Sequence, residues 1–419
     1  MSDVVSTKFR RGTSFNVTFP TLPSLTFQPS KVDLFQKRNN HDILVMEFYA
    51  VSPLWFKTIT TGAPIQFSWT QDSLTRYWVG YVSNISKVDA AQRTNLMTIT
   101  CVAATFLMKQ RSTRVFTDVR VTDVVEQLAT EFGFNYVGGV PSEPVFPQLA
   151  IAGSSYWEWI QEQAKRIGYG VVVDGMNFVF KPLDKIIDLW FSDAPVLSIG
   201  NTGAAFNTQY LDRTLDYFKV LSGDNIEDTN DFRTIKNVGG VDPLTGKYYT
   251  ENASPANSGA SLRTSVADVL FSEYRTDRVA HSMSAAQALA TGSAELARFN
   301  IPAKVKCQGD PRIRPFGTVF ISGTGELTDG FWMVREAQHM FHKIGDYQMD
   351  VTIATDGLGD TQESAFRSRG ANLVGTVNLN AALENGGTQV NSFGLKNAVL
   401  VTTDPSTIEG ANTSRWKAA

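Results

Sequence analysis

The sequence between Ser155 and Gly168 reads SYWEWIQEQAKRIG and carries the start, the inner face and the end of a helix. Ser155 and Glu158 have the spacing of a capping box, in which each side chain satisfies a backbone N–H of the first helical turn. Gly168 stands where a left-handed residue commonly ends a helix. The apolar residues at helical spacing are Ile160, Ala164 and Ile167. The stretch therefore predicts a helix that packs one face on a core.

A β-hairpin is predicted directly after this helix. The apolar runs Tyr169–Val173 and Met176–Phe180 flank Asp174-Gly175, a dipeptide that strongly favours a tight two-residue turn. The hairpin would lie against the helix that precedes it and complete an α/β unit.

A second helix is predicted upstream, where Thr122 is a good N-cap and Asp123 suits the positive end of the helix dipole. Its apolar stripe consists of Val124, Val125, Leu128, Ala129 and Phe132, and Gly133 ends it. The two helices and the hairpin together predict an α/β module between Val115 and Lys181.

Strand signals dominate the regions on both sides of this module. Phe15, Val17 and Phe19 alternate with polar neighbours, which is the period of a half-buried strand. The same signal recurs in Ile65–Trp69, Trp78–Val82, Leu96–Val102, Val319–Ile321, Phe331–Val334 and Tyr347–Ile353. Many short strands punctuated by Gly, Pro and Asn indicate small barrels or sandwiches.

The two strand-rich regions also share an order of signals. The first region has three strand signals in the order Ile65–Trp69, Tyr77–Val79 and Leu96–Val102. The second region has three similar signals in the same order, Val319–Ile321, Phe331–Met333 and Tyr347–Ile353. This order fits an internal repeat, and it equally fits two unrelated antiparallel β domains. With a true repeat, three copies of the chain could build a pseudo-sixfold ring.

These signals predict an α+β, mainly β fold: two similar small antiparallel β-barrel domains, an α/β module between them, and a helical and loop segment inserted in the second barrel. The predicted bounds are 1–114 for the first barrel, 115–185 for the module, 186–222 and 299–357 for the second barrel, 223–298 for the insertion and 358–419 for an extended C-terminal tail. We further expect strands from Leu189 to Val220, a polar loop from Gly223 to Gly259, and a helix from Ser284 to Arg298 with a Ser284/Gln287 capping box.

Composition argues against several classes of function. A net charge of −3 gives no basic surplus for holding nucleic acid, although DNA could pass a wall of this charge without sticking. The 2 cysteines, Cys101 and Cys307, lie in strand-like runs and predict buried free thiols. No apolar stretch approaches the roughly 20 residues that span a bilayer. We therefore expect no membrane segment and folding in a reducing cytoplasm.

No local pattern marks a catalytic, cofactor or metal site, so we predict none and no enzyme. Five residues separate Gly240 from Gly246 where a phosphate loop has four, and Tyr248 replaces its Ser or Thr, so residues 242–249 predict a hairpin turn. Gly323 and Gly325 lack a third glycine and a following helix, and are expected in a turn.

His339, His342 and Glu336 could hold a metal only on a helix. They lie between strand signals, where this spacing distributes the three side chains over both faces of a sheet. A pair of acids brought together by folding leaves no local signature, so a hidden pair of hydrolase carboxylates stays open.

Two further groups have competing interpretations. Tyr156, Trp157 and Trp159 could stack on sugars, but their place on an amphipathic helix favours a core or a domain contact. Arg312 and Arg314 lie in a proline-bounded turn and could touch phosphate, but they more commonly solvate a loop or pair across an interface.

The helix and hairpin of Ser155–Phe180 resemble those of the phage late control D proteins and the myovirus baseplate hub. The preceding run Val121–Phe134 is similar to the helix before it in that family. Trp78–Val82 with Leu96–Cys101, and Ile313–Gly317 with Thr318–Ile321, are similar to the first and second barrels. The likeness extends over most of residues 32–356.

The resemblance implies a homotrimer whose two barrels per chain imitate a sixfold tube ring and meet a threefold spike. The implied partners are a separate spike protein trimer, the tail tube or tail-completion ring, other baseplate proteins and the tape measure protein, with DNA only in transit. The implied location is the tail baseplate of a virion assembled in the host bacterial cytoplasm.

The chain departs from related secretion hubs because residues 358–419 carry no six- or nine-residue repeat of a β-helix needle. Two alternatives stay open at this stage. One is the hub of a contractile secretion or extracellular injection device, and the other is a tail-tip cell-wall hydrolase or carbohydrate-binding protein.

Overall fold

The structure is a computed structural model. It describes residues 13–22, 28–49, 53–71, 74–90, 93–139, 144–191, 194–198, 209–210, 216–217, 235–241, 246–253, 262, 272–274, 280–299, 301–322, 324, 328–343 and 346–357. The predicted tail, residues 358–419, and the predicted turn glycines Gly323 and Gly325 lie outside these residues.

The first set of strands is antiparallel throughout. It comprises β1 (Thr13–Thr18), β2 (Lys31–Lys37), β3 (Ile43–Tyr49), β4 (Pro64–Gln71), β5 (Leu74–Ala90) and β6 (Arg93–Ala103), with a short helix, α1 (Pro53–Thr58), before β4. Their order across the sheet is β1-β4-β5-β6-β3-β2. The period-two residues of the sequence point inward, since Val17, Phe67 and Ile99 are almost completely buried.

The α/β module follows the first set. It contains β7 (Arg114–Val119), α2 (Val121–Glu131), β8 (Asn135–Gly138), β9 (Phe146–Ile151), α3 (Tyr156–Ile167), β10 (Tyr169–Asp174) and β11 (Asn177–Pro182). The predicted α3 is confirmed: Ser155 and Glu158 form the capping box, and Gly168 adopts φ 75° at the C-cap. The predicted hairpin is confirmed by the pairing of Asp174 with Asn177.

The predicted start of α2 is wrong by two positions. The helix begins at Val121 with Arg120 as its N-cap, and Thr122 is buried inside it. The side chain of Asp123 accepts a hydrogen bond from the Arg120 backbone N at 3.0 Å, so the aspartate at the third helical position supplies the cap.

A helix, α4 (Leu183–Phe191), replaces the start of the strand region predicted from Leu189. Its buried side chains are Leu183, Ile186, Ile187, Trp190 and Phe191, which follow helical spacing. They pack on Phe316 and Phe331 of the second strand set. The predicted boundary between residues 185 and 186 lies inside this helix.

The second set of strands repeats the order of the first. It comprises β12 (Val196–Ser198), β13 (Gln209–Tyr210), β14 (Asp216–Tyr217), β18 (Ile301–Gln308), β19 (Thr318–Ser322), β20 (Gly330–His342) and β21 (Asp346–Thr355). The pairing order in this set is β19-β20-β21-β18-β14, and the corresponding order in the first set is β4-β5-β6-β3-β2. The order of strand signals that recurs in the sequence therefore corresponds to an order of strand pairing that recurs in the structure.

Both sets belong to one 13-stranded sheet, because β2 pairs with β20. A single hydrophobic core contains side chains of both sets, such as Phe67 and Met46 of the first and Phe341 and Val351 of the second. The mainly β character of the prediction is confirmed. The description of the two sets as two barrels, and the division into domains, stay predictions.

The region between the two halves of the second set holds a small sheet and a helix. β15 (Ile235–Val241), β16 (Tyr248–Ala253) and β17 (Ser272–Tyr274) form the sheet, and α5 (Met283–Leu296) packs its alanines against α3 and the module core. The loop predicted from Gly223 to Gly259 therefore contains two strands. Residues 223–234, 242–245 and 254–259 of it lie outside the described residues.

The predicted helix near Ser284 is confirmed, but its predicted cap is wrong. Ser282 is the N-cap and accepts a hydrogen bond from the Ala285 backbone N at 3.2 Å. Ser284 and Gln287 are exposed inside the helix, where Gln287 donates to the Thr291 hydroxyl. The N-cap therefore lies two residues earlier than predicted, and Met283 is the first residue of the helix.

Candidate functional site at the junction of the strand sets

The junction between the two strand sets is made by backbone pairing of distant segments. Lys31–Lys37 of β2 pairs antiparallel with Glu336–His342 of β20, and we call this pair of segments the seam. The opposite edge of β20 pairs with β21 along most of its length. The seam therefore has β3 on one side and β21 on the other, inside a continuous sheet.

A chain of buried polar side chains crosses the seam on its core side. His339 Nε2 lies 3.1 Å from Gln36 Oε1, and Gln36 Nε2 donates to Asp42 Oδ2 at 2.9 Å. Because Gln36 accepts through its oxygen, the Nε2 of His339 carries the proton, and its Nδ1 accepts from the Tyr347 hydroxyl at 2.7 Å. The chain joins β2, β20 and β21 and fixes their register.

Burial shifts the pKa values of this chain. It lowers the pKa of His339 to about 3, with a smaller contribution from the nearby Arg76 charge. It raises the pKa of Asp42 to about 7, against the stabilising hydrogen bond from Gln36. The neutral imidazole and the protonated acid are thus the forms that the fold favours.

Replacing Asp42 by Asn should stabilise the protein at high pH. The folded-state pKa of Asp42 lies above its unfolded value, so ionisation opposes folding fully above pH 7 and not at all below the unfolded pKa of about 4. We expect the free energy of unfolding of Asp42→Asn, relative to wild type, to rise by about 4 kcal/mol between pH 4 and pH 8, since each pKa unit corresponds to about 1.4 kcal/mol; urea denaturation across this range measures it. The gain should vanish as pH falls.

Two histidines change wild-type stability in the same pH range with the opposite sign. The lowered pKa values of His339 and His41 reduce stability as pH falls below about 6.5. Both histidines affect wild type and Asp42→Asn equally, so their contributions cancel in the difference in unfolding free energy between the two proteins. Asp350→Asn on the exposed face is the matched carboxylate-to-amide control, and it should cost no more than about 0.5 kcal/mol because its ion pair with Lys306 is largely exposed. A pH-independent effect of Asp42→Asn would contradict the assignment.

Asp174 ties the module to both strand sets. Its Oδ1 lies 2.5 Å from Arg76 on β5, and its Oδ2 lies 2.8 Å from Arg314 in the segment before β19. The Arg314 guanidinium also stacks over the Trp190 ring of α4, 4.5 Å from its centroid. We call these four residues the Asp174 node. The predicted interface role of Arg314 is confirmed, whereas Arg312 forms an ion pair with Asp310 in its own turn.

The turn between β2 and β3 docks on the same module. Asn39 adopts φ 54°, and its side-chain oxygen accepts a hydrogen bond from the Val171 N–H at 2.8 Å. Its backbone N–H donates to the Val171 carbonyl at 3.1 Å, and its carbonyl accepts from Gln161 of α3. The Asn39 turn and the Asp174 node therefore both attach the strand sets to the module.

The aromatic residues considered for sugar stacking lie in the core. Tyr156, Trp157 and Trp159 are each no more than 3% exposed. Trp159 donates to the Ala150 carbonyl at 3.0 Å, and Trp157 stacks on His41 at 4.4 Å between ring centroids. The core interpretation is confirmed, and the His41 contact gives Trp157 a role in holding the β2–β3 turn.

The three residues considered for a metal site are divided between the faces of β20. His339 is buried on the core side, whereas Glu336 and His342 are only partly buried on the other face. Within the described part of the chain, no group of three or more His, Cys, Asp or Glu side chains could hold a metal ion. Cys101 and Cys307 are buried free thiols as predicted, and burial raises both of their pKa values.

The glycine-rich run near Gly240 belongs to a hairpin. Val241 of β15 pairs with Tyr248 of β16, which confirms the turn interpretation, although residues 242–245 are outside the described residues. A side chain at Gly240 would collide with the Ala280 carbonyl, 2.0 Å from an added Cβ. Close packing therefore explains this glycine.

The open face of the seam, on the side away from the core, carries paired charges. Lys37 and Glu336 lie 2.7 Å apart, and Lys306 and Asp350 lie 3.8 Å apart. A groove of about 540 Å³ crosses this face, with Phe35 and Lys304 also in its lining. The groove contains charges of both signs, so the face has no one-sided field that would hold a polyanion. No helix among the described residues is both long and apolar enough to cross a membrane.

The fold, with two repeated strand sets in one sheet and an α/β module attached, is similar to that of solved tail proteins. Two solved structures share it. The tail protein from Neisseria meningitidis MC58 matches with a TM-score of 0.58 and 12% identity, covering 83% of this chain and 98% of that chain. The 43 kDa tail protein of prophage MuSo2 from Shewanella oneidensis matches with a TM-score of 0.54 and 10% identity, covering 81% and 97%.

These matches show that the chain has a mainly β fold similar to that of solved tail proteins, which agrees with the coarser part of the resemblance. No protein-family model matches the sequence, and no curated protein matches it. The likeness is therefore one of structure, at identities where the sequences have diverged almost completely.

Proposed function

We propose that this chain is the structural hub of a phage-type tail baseplate. Three copies would form a ring that adapts the sixfold tail tube to a threefold central spike. The observation that carries the proposal is the repeated pairing order of the two strand sets, joined edge to edge through the seam. The fold shared with solved tail proteins supports it.

The repeat supplies the symmetry match. Each chain contributes two strand sets of the same order, so three chains present six similar units to a tube of six subunits. The same three chains present only three modules and three C-terminal segments, which suit a spike of three subunits. The Asp174 node and the Asn39 turn would keep each module at a fixed angle to its strand sets.

We propose that the open face of the seam lines the channel for genome passage. Two of the three lysines in its groove, Lys37 and Lys306, pair with Glu336 and Asp350, so phosphate groups would find no continuous positive stripe. The net charge of −3 agrees with a wall that DNA passes without binding. DNA is then a passenger and not a ligand.

The remaining assignments follow from this role. The partners would be further copies of this chain, a separate spike trimer, the tail tube or tail-completion ring, other baseplate proteins and the tape measure protein. The division at 1–114, 115–185, 186–222 with 299–357, 223–298 and 358–419 would correspond to two ring-forming barrels, a peripheral module with an insertion, and a tail laid on a neighbour. The particle would be assembled in the host cytoplasm and carry the hub in its tail baseplate.

The mass of the assembled protein tests this proposal. Sedimentation equilibrium of the full chain, and of the hub released from purified tails, should give three times the 46.1 kDa of one chain. A stable monomer in solution that is absent from assembled particles would contradict it.

A hub needs no bond-breaking chemistry of its own. The chain should therefore leave peptidoglycan intact in a zymogram at every pH tested. Clearing that disappears on substitution of one carboxylate would instead establish a hydrolase. Packaged DNA in the purified particle would separate a virus from a secretion or injection device.

A further inference from the structure

The two strand sets share a break at the same place in one strand. β20 has a bulge at Arg335, between Val334 and Glu336 in its pairing with β21. β5 has a bulge at Ser83, between Val82 and Asn84 in its pairing with β6. In both strands the residues before the bulge pair with the preceding strand, β19 or β4.

The backbone hydrogen bonds at the break are the same in both sets. Val82 N donates to Ala63 O at 3.0 Å, and Gly62 N donates to Val82 O at 2.7 Å. At the other break, Val334 N donates to Gly317 O and Phe316 N donates to Val334 O, both at 2.8 Å. Gly62 and Phe316 both have positive φ, 84° and 64°. Bulge, hydrogen bonds and backbone conformation thus align Val82 with Val334.

The aligned strands differ in what lies beyond the bulge. In β20, the edge from Glu336 to His342 is covered by β2 and forms the seam. In β5, the corresponding edge begins at Asn84, and no strand of the described ranges pairs with it. Val88 on this segment is 55% exposed. An exposed strand edge is a template for another strand.

The strand that could fill this edge is β14, the counterpart of β2 in the second set. Asp33 lies opposite Val45 on β3, and Asp216 lies opposite Lys304 on β18. Val45 and Lys304 are themselves equivalent positions. Val45 lies opposite Thr100, which lies opposite Asn84, the first residue after the bulge in β5. Lys304 lies opposite Thr352, which lies opposite Glu336, the first residue after the bulge in β20. The sequences agree, with Val-Asp-Leu-Phe at residues 32–35 and Leu-Asp-Tyr-Phe at 215–218.

We propose that β14 of one copy pairs antiparallel with the Asn84–Val88 edge of β5 in a second copy of this chain, placing Asp216 opposite Val88. The register follows from the seam, where the equivalent residues Asp33 and Met340 are opposite each other. This inference rests on the proposed ring and names the contact that closes it. Three seams within chains would alternate with three such junctions between chains, giving six junctions for six strand sets.

A second copy is the occupant that the geometry selects. One chain carries both halves of the proposed junction, β14 and the β5 edge. Its internal seam uses their counterparts, β2 and β20, and leaves β14 and the β5 edge available for a second copy. A contact of one surface with a different surface of an identical copy closes into a ring when the rotation allows it. The internal seam already sets that rotation between neighbouring strand sets.

Disulfide trapping tests the proposed register. In the full-length Val88→Cys/Asp216→Cys variant, mild oxidation should produce covalent dimers and trimers and no larger species, because opposite residues on paired strands suit a disulfide. Asp33→Cys/Met340→Cys is the matched pair within one chain and should oxidise without a change in mass. The single-cysteine variants should give no cross-linked product, since Cys101 and Cys307 are buried.

Register is tested by moving one cysteine. Val88→Cys/Tyr217→Cys shifts it by one residue and turns one thiol to the other face of the sheet, so its yield should fall at least about tenfold. Trimers by sedimentation with no Val88–Asp216 cross-link would overturn the proposed junction while leaving the ring in place. A monomer would remove the ring and the junction together, so the two failures are distinct.

Discussion

Replacing Asp174 by Asn is expected to lower the free energy of unfolding by about 3 kcal/mol. The carboxylate is the common partner of Arg76 and Arg314, whose side chains are only 12% and 10% exposed. An amide has the same shape but no charge, so the two largely buried guanidinium groups would lose the negative charge that lies between them. Asp174 is itself 25% exposed, which keeps the loss at the lower end of the range for buried pairs.

Urea denaturation followed by tryptophan fluorescence measures this loss, because Trp190 stacks on Arg314 and should report the opening of the Asp174 node. Glu336→Gln is the matched control. It breaks the Lys37–Glu336 pair, whose side chains are 55% and 44% exposed, and should cost no more than about 0.5 kcal/mol. Equal losses in the two variants would mean that the Asp174 node does not hold the module to the strand sets.

Gly292→Ala should destabilise the protein by about 2 kcal/mol, although alanine normally improves a helix by about 1 kcal/mol. Gly292 of α5 crosses the end of α3, and a Cβ added to it would lie 2.3 Å from the carbonyl carbon and oxygen of Ile167. Both neighbours are backbone atoms, so no side-chain rotation relieves the clash. α5 and α3 would have to move apart.

The sign of the stability change in Gly292→Ala shows whether the backbone clash or the higher helix propensity of alanine dominates. Thr291→Ala, at the exposed neighbouring position, changes helix propensity without a contact to α3 and should leave stability unchanged or slightly raised. Thermal unfolding of the two variants beside wild type measures the difference. A Gly292→Ala variant as stable as Thr291→Ala would show that the close crossing of the helices is not needed.

The elements that were predicted correctly have signals within a few residues. The capping box of Ser155 and Glu158, the left-handed Gly168 and the Asp174-Gly175 turn each depend on local backbone chemistry. α4 was missed because its apolar residues include Ile186, Ile187 and Trp190, which also suit strands, and no capping signal precedes them. β15 and β16 were missed because a polar composition was interpreted as a loop.

The contacts of the site depend on residues far apart in sequence. Arg314 is 140 positions from Asp174, and His339 is 303 positions from Gln36. A sequence carries no sign of which distant charge or amide a side chain will meet. The order of strand signals revealed the repeat, but only the pairing of β2 with β20 placed both sets in one sheet.

Electron cryomicroscopy of the assembled particle would show the ring itself. We expect three copies of this chain around the tail axis, with six strand sets joined in a closed ring by alternating seams and chain-to-chain junctions. Six copies around the axis, or two strand sets of one chain at different heights with only one of them encircling the channel, would contradict it.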